Sequence, residues 1–204
     1  MNLTEALNIK PLVAILRGIT PDEILEIGEV LYDAGFRILE VPLNSPDALE
    51  SISRLVNVYH EKMLIGAGTV LSTEDVTNVQ NAGGRLIVSP NCNPDVIKQT
   101  KHIGLISVPA FITPSEGFAA IQAGADALKL FPAEAASPPV LKAMKAVLPG
   151  DIPILPVGGI GVHNIKDYKD AGASGFGLGG NLYKPGKTLS AIRQDAYDLT
   201  QSIK

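Results

Sequence analysis

Short runs of aliphatic and β-branched residues recur along the chain. Between them lie longer stretches in which apolar residues return every three or four positions. The runs are Leu12–Arg17, Arg37–Val41, Met63–Gly68, Arg85–Ser89, Leu105–Pro109, Ala127–Phe131, Ile154–Val157 and Gly175–Leu178, eight in all, with starts 20–27 residues apart. Runs of this length and composition predict strands, and the intervening periodicity predicts helices. In the first of those helices Thr20 is placed to N-cap, Pro21 to fill the first helical position and Glu23 to reach back to the cap. Ile24, Ile27, Val30 and Leu31 form its apolar stripe, and Gly35 closes it. Ser45-Pro46, Asn93-Pro94 and Thr113-Pro114 predict the same opening elsewhere. Ala-Gly pairs at 34–35, 82–83, 123–124 and 171–172 predict helix ends. One short helix is expected before the first strand.

Short strands alternating with helices imply right-handed βαβ units and a parallel sheet. Eight units predict a single (β/α)8 TIM barrel over residues 1–204. That length is at the low end for the fold, so the loops must be short. The alternative, an open doubly wound sheet, calls for a glycine fingerprint after its first strand. Arg17-Gly18-Ile19-Thr20 is not one.

Composition narrows the class. Apolar residues make up 46% of 204, which excludes a disordered chain. Aromatics are 5% and Trp is absent, so aliphatic side chains must build the core. The net charge of -4 gives no electrostatic case for nucleic acid or an anionic membrane. Cys92 is the only cysteine, which rules out an intrachain disulfide and makes a reduced compartment the expectation. The opening residues carry no basic region followed by an apolar stretch, and no apolar run approaches the roughly 20 residues that span a bilayer. A soluble, cytoplasmic protein is expected. His60, His102 and His163 fall at no metal-ligand spacing, so neither metal nor cofactor is expected.

The strands of a parallel barrel are nearly all apolar, so their polar residues carry information. Glu40 interrupts Ile38-Leu39-Glu40-Val41, and Lys129 interrupts Leu128-Lys129-Leu130-Phe131. Arg17 ends the first run, and Thr69 ends Gly66-Ala67-Gly68-Thr69 just after the third. All four lie near strand C-termini, the face that holds active sites in such barrels. The plainer account is a structural ion pair with Arg17 capping the core, but a buried pair is a poor stabiliser. A lysine among Leu128, Leu130 and Phe131 loses the hydration that favours its ammonium form. As a neutral amine it can attack a ketone and form an imine, an electron sink for breaking the neighbouring carbon–carbon bond. The steps need a proton shuttle, and Glu40 has that chemistry. Glycine-rich segments follow the last two strands, at Gly158-Gly159 and Gly177-Leu178-Gly179-Gly180-Asn181. Loops at those places frequently bind phosphate through backbone N–H groups. Glycines that merely turn tight loops are the simpler reading, which two segments at the expected strands outweigh.

The motifs Ala14-Ile15-Leu16-Arg17-Gly18-Ile19, Glu40-Val41-Pro42-Leu43-Asn44-Ser45-Pro46, Ile65-Gly66-Ala67-Gly68-Thr69-Val70, Val88-Ser89-Pro90, Leu128-Lys129-Leu130-Phe131-Pro132 and Val157-Gly158-Gly159 occur in that order. Together, from about Pro11 to Tyr183, they resemble the family of aldolases acting on 2-keto-3-deoxy-6-phosphogluconate (KDPG) or its galactonate epimer (KDPGal). The resemblance implies a class I aldolase on a (β/α)8 barrel, usually a homotrimer. It implies that Lys129 forms the Schiff base and Glu40 acts as general acid/base. Arg17 and Thr69 then hold the pyruvyl carboxylate region, and Pro109, Thr113 and Phe131 stand at pocket-wall positions. Gly158, Gly159, Gly179, Gly180 and Asn181 stand in the phosphate loops. Asn44 takes the place of an arginine common in gluconate-type members, and Val157 the place of a threonine. Both features resemble the galactonate branch. Asn181 stands where serine is common, and Ala110 follows Pro109 where glycine is usual. A phosphosugar isomerase or synthase and a phospho-metabolite sensor are the competing readings, and some relatives cleave 4-hydroxy-2-oxoglutarate.

Overall fold

In the computed structural model, which describes residues 1–203, one eight-stranded parallel sheet organises the chain. The strands are β1 (Leu12–Ile15), β2 (Ile38–Pro42), β3 (Leu64–Gly68), β4 (Leu86–Ser89), β5 (Ile106–Phe111), β6 (Leu128–Leu130), β7 (Ile154–Pro156) and β8 (Phe176–Leu178). From β1 to β7 each strand pairs with its sequence neighbours, and β1 pairs with β8 through Leu12–Phe176, Val13–Gly177 and Ala14–Leu178. A bridge between Val157 and Gly177, with Ser174 N–H donating to the Ile154 carbonyl at 2.9 Å, draws β7 to β8. The sheet is therefore a nearly closed (β/α)8 barrel, and the open-sheet alternative is excluded.

Helices α1 (Leu3–Ile9), α2 (Ile24–Asp33), α3 (Ala48–Tyr59), α4 (Thr73–Asn81), α5 (Pro94–His102), α6 (Pro114–Gln122), α7 (Pro138–Lys145), α8 (Ile165–Asp170) and α9 (Leu189–Ser202) complete the described chain. A 3-10 turn at Ala133–Ala135 lies between β6 and α7. No helix among the described residues is long and apolar enough to cross a membrane.

Two apolar clusters follow from the period-2 alternation of side chains along the strands. The outer faces, including Leu39, Val41, Leu128 and Leu130, pack against the helices. The inner faces, including Val13, Ile38, Leu64, Leu86, Val108 and Leu155, pack with Leu3, Ala6 and Leu7 of α1. Helix α1 thus stoppers the N-terminal end of the barrel. Asn2 and Glu5 close a capping box at its start, worth about 1 kcal/mol.

Two of the four expected helix openings hold. Asn93 caps α5 and Thr113 caps α6, each with proline at the first position. The other two need correction. Helix α2 begins at Ile24, after a turn over 21–23. Thr20 Oγ1 instead donates to Glu23 Oε2 at 2.7 Å, so the hydroxyl that should cap is spent on the acid. Ahead of α3 the Ser45 hydroxyl accepts from Gly18 N–H at 2.9 Å, which ties the first two β–α loops together. Asp47, with φ 43°, stands at the α3 N-cap without a side-chain cap bond. All four Ala-Gly pairs end helices, with the glycines at φ between 84° and 103°, a region that costs other residues about 1–2 kcal/mol.

Candidate active site

Alternation puts Glu40 and Lys129 on the inner face, because their neighbours Leu39, Val41, Leu128 and Leu130 all point outward. Both line one cavity with Val13, Ile15, Val88, Val108 and Val157. Glu40 is 2% exposed and Lys129 6%. Register fixes their heights. Glu40 lies opposite Ile15 and Gly66, and Lys129 opposite Ala110 and Leu155. Leu16 N–H donates to the Glu40 carbonyl at 3.0 Å, which anchors the acid's backbone.

This environment works on both charges. Burial pushes the Glu40 carboxyl above its usual range, and the attraction of Lys129 and then Arg17 only partly offsets it. Burial holds the Lys129 ammonium below its usual range; Glu40 opposes that and Arg17 adds to it. Each group is thereby moved toward its neutral form. The Lys129 ammonium stands 4.7 Å from the centroid of the Phe131 ring. The Glu40 Oε2 atom is buried with no hydrogen-bond partner.

Arg17 and Thr69 meet at the rim. Arg17 lies just past β1, donates from Nη1 to Asn44 Oδ1 at 2.7 Å and reaches Thr69 Oγ1 from Nη2 at 3.5 Å. Thr69 follows β3 with φ 56°, a left-handed value rare for a β-branched residue. Asn44, not an additional arginine, therefore steadies the guanidinium.

The two glycine segments meet in a second, adjoining cleft. Gly158, Gly159, Gly179, Gly180 and Asn181 line it with Glu134 and Lys184. Gly158 and Gly159 have φ 108° and 64°, which turns consecutive backbone N–H groups as no other residue readily allows. Asn181 Nδ2 donates to the Ile160 carbonyl at 2.7 Å and so ties the β8 loop to the β7 loop. Gly177 borders both this cleft and the barrel cavity, so the two lie side by side.

Two expected wall residues sit differently from the rest. Thr113 is exposed, and its hydroxyl serves the α6 capping box with Glu116. Pro109 lies on β5 between inward-facing Val108 and Ala110, so alternation turns its ring to the other face. Sequence reasoning missed Gly68, which faces the Glu40 carboxyl from β3, and Glu134 and Lys184, which line the cleft. A cation four residues past the Gly179-Gly180 pair was a readable signal for Lys184. Gly68 and Glu134 gave none, since only the fold brings them to the site.

A desolvated amine and a desolvated carboxylic acid facing one cavity inside a parallel barrel, beside a glycine-lined cleft, suit a barrel enzyme of acid–base chemistry. The family model for KDPG and KHG aldolase matches residues 3–199. The chain belongs to that family of aldolases, and so to the lyases. It is 47% identical to the 2-dehydro-3-deoxy-6-phosphogalactonate aldolase of Escherichia coli K12 over 91% of each chain. A native KDPGal structure superimposes with a TM-score of 0.93 at 45% identity, over 95% of this chain and 94% of that one. The KDPG aldolase of Legionella pneumophila, captured at low pH with pyruvate as a covalent carbinolamine intermediate, superimposes with a TM-score of 0.88 at 25% identity, over 98% of each chain.

Proposed function

We propose that the protein is a class I aldolase that cleaves 2-keto-3-deoxy-6-phosphogalactonate to pyruvate and D-glyceraldehyde 3-phosphate. The observation that carries the reading is that Lys129 and Glu40 line one cavity, which shares Gly177 with the neighbouring glycine cleft. The neutral Lys129 amine adds to the C2 ketone, and the carbinolamine loses water to become an iminium. Removal of the proton from the C4 hydroxyl breaks the C3–C4 bond, and its electrons pass to the iminium nitrogen. Glyceraldehyde 3-phosphate leaves and an enamine remains on Lys129. Protonation at C3 and addition of water release pyruvate and restore the amine. Glu40, raised toward its protonated form, is suited to give and take these protons.

Arg17, with Asn44 and Thr69 behind it, receives the carboxylate of the keto acid, and Phe131 walls the cavity beside Lys129. The 6-phosphate takes the turned N–H groups at Gly158 and Gly159 and the loop at Gly179 and Gly180, which Asn181 holds in place. Val157 lines the cavity, and with Asn44 it is a feature that the resemblance ties to the galactonate branch. The names of the similar proteins support both the substrate class and the covalent step. A homotrimer in the cytoplasm, free of nucleic acid and membrane and working without a cofactor, is the setting that the family resemblance implies.

Pyruvate with sodium borohydride tests the reading. A reduced pyruvyl adduct mapped to Lys129, absent from Lys129→Ala, is expected. A folded protein that yields no adduct in excess pyruvate would sink the imine mechanism.

A further inference from the structure

Two glycines, Gly66 and Gly68, stand on the inner face of β3. Gly66 is the register partner of Glu40, and Gly68 is two residues further along the same face. They are glycine for different reasons. A Cβ on Gly66 would strike the backbone of Leu86 on the next strand, 2.6 Å from its carbonyl carbon, so close strand approach explains it. A Cβ on Gly68 would meet Glu40 instead. It would overlap Oε2 and Cδ outright and stand 2.9 Å from Oε1, and these are the three nearest atoms. Gly68 is not among the glycines with positive φ, so its backbone suits any residue. The nearest occupant of the space above it is the carboxyl, and the oxygen that lies closest is the one with no hydrogen-bond partner.

We propose that Gly68 is a positioning residue for catalysis: the notch left by its missing side chain seats the Glu40 carboxyl and aims it at the chemistry on Lys129. No donor holds Oε2, so shape must. A methyl group at 68 leaves the strand pairing intact and drives the carboxyl out of its seat, because the far end of a flexible side chain yields before backbone does. The proposal rests on Lys129 and Glu40 acting as described above.

The test is a double-mutant cycle of Gly68→Ala and Glu40→Asp. It is read by solvent deuterium exchange into the methyl group of pyruvate, with thermal unfolding alongside. The wild type comes first. Without exchange and without a borohydride adduct on Lys129, the underlying reading fails and the proposal falls with it. With both present, Gly68→Ala is expected to unfold near the wild-type temperature. Its exchange rate constant should drop about 100-fold or more, mainly in kcat rather than KM. Glu40→Asp alone should also slow exchange. In the Gly68→Ala background the same change should raise the rate, about tenfold, since a carboxylate shorter by one methylene clears the new methyl group. That reversal of sign is not produced by general loss of structure. Wild-type exchange in Gly68→Ala overturns the proposal while the Lys129 reading stands. So does a loss that comes with a fall in unfolding temperature and is not relieved by Glu40→Asp.

Discussion

Gly158→Ala separates the two halves of the site. Gly158 has φ 108°, and a Cβ there would overlap the Glu134 carboxylate and lie 3.2 Å from Ala133 N. Ala133 N–H donates to the Val157 carbonyl at 2.8 Å, so the loop has little freedom to move away. Holding alanine at such a φ costs about 1–3 kcal/mol, which sets the expected loss of stability. Any relaxation of φ turns the 158 and 159 N–H groups away from the cleft. A charge-assisted bond to phosphate is worth about 1.5–3 kcal/mol, and each 1.4 kcal/mol is about tenfold. KM for the 6-phosphorylated substrate should therefore rise about 10- to 100-fold. Pyruvate carries no phosphate, so its exchange on Lys129 should change by less than about twofold. The assays are coupled cleavage with the phosphorylated acid and deuterium exchange with pyruvate, run on one preparation. An unchanged KM would refute the phosphate assignment of this cleft. An equal fall in both activities would show that the loop supports the barrel mouth rather than the phosphate.

The remaining predictions concern what function costs the fold. Lys129→Met with Glu40→Met replaces two buried ionisable groups by apolar side chains of similar length. It should gain about 1–4 kcal/mol in urea unfolding while abolishing cleavage; lower stability would mean that the pair is held for structure. Tyr183 is buried with an unpartnered hydroxyl, and burial, aided by Glu23, pushes its pKa up to about 12. The folded state then keeps a proton that the unfolded chain releases near 10. Stability should fall as pH rises from about 10 to about 12. Tyr183→Phe should remove that alkaline decline and add about 1 kcal/mol at neutral pH by removing the orphan hydroxyl. A decline that survives the substitution would place the titration elsewhere.

The fold was legible because it repeats. Eight aliphatic runs at near-constant spacing leave few topologies, and Asn93-Pro94, Thr113-Pro114 and the Ala-Gly pairs mark boundaries by chemistry acting over three or four residues. Glu40 and Lys129 stood out for the same reason, since a charge between two outward-facing aliphatic residues has only the barrel interior to face. Where a side chain has two partners within reach, local rules fail. Ser45 and Thr20 both look like caps. Ser45 prefers the Gly18 N–H, 27 residues away in sequence, and Thr20 prefers Glu23. Thr113 shows the reverse, a residue expected at a pocket wall whose hydroxyl is used up by its own helix.

The sequence by itself determined the element order, the barrel, the two buried charges and the glycine segments. These follow from periodicity, from the cost of desolvating a charge and from the freedom of glycine, all of which act within a few residues. Only the tertiary structure decided that α1 stoppers the barrel, that Val157 and Gly177 bridge β7 to β8, that Asn44 steadies Arg17, that Glu134 and Lys184 border the glycine cleft, and that the Glu40 carboxyl lies over Gly68. Each depends on which distant segments the fold brings together, and that leaves no mark in the local sequence.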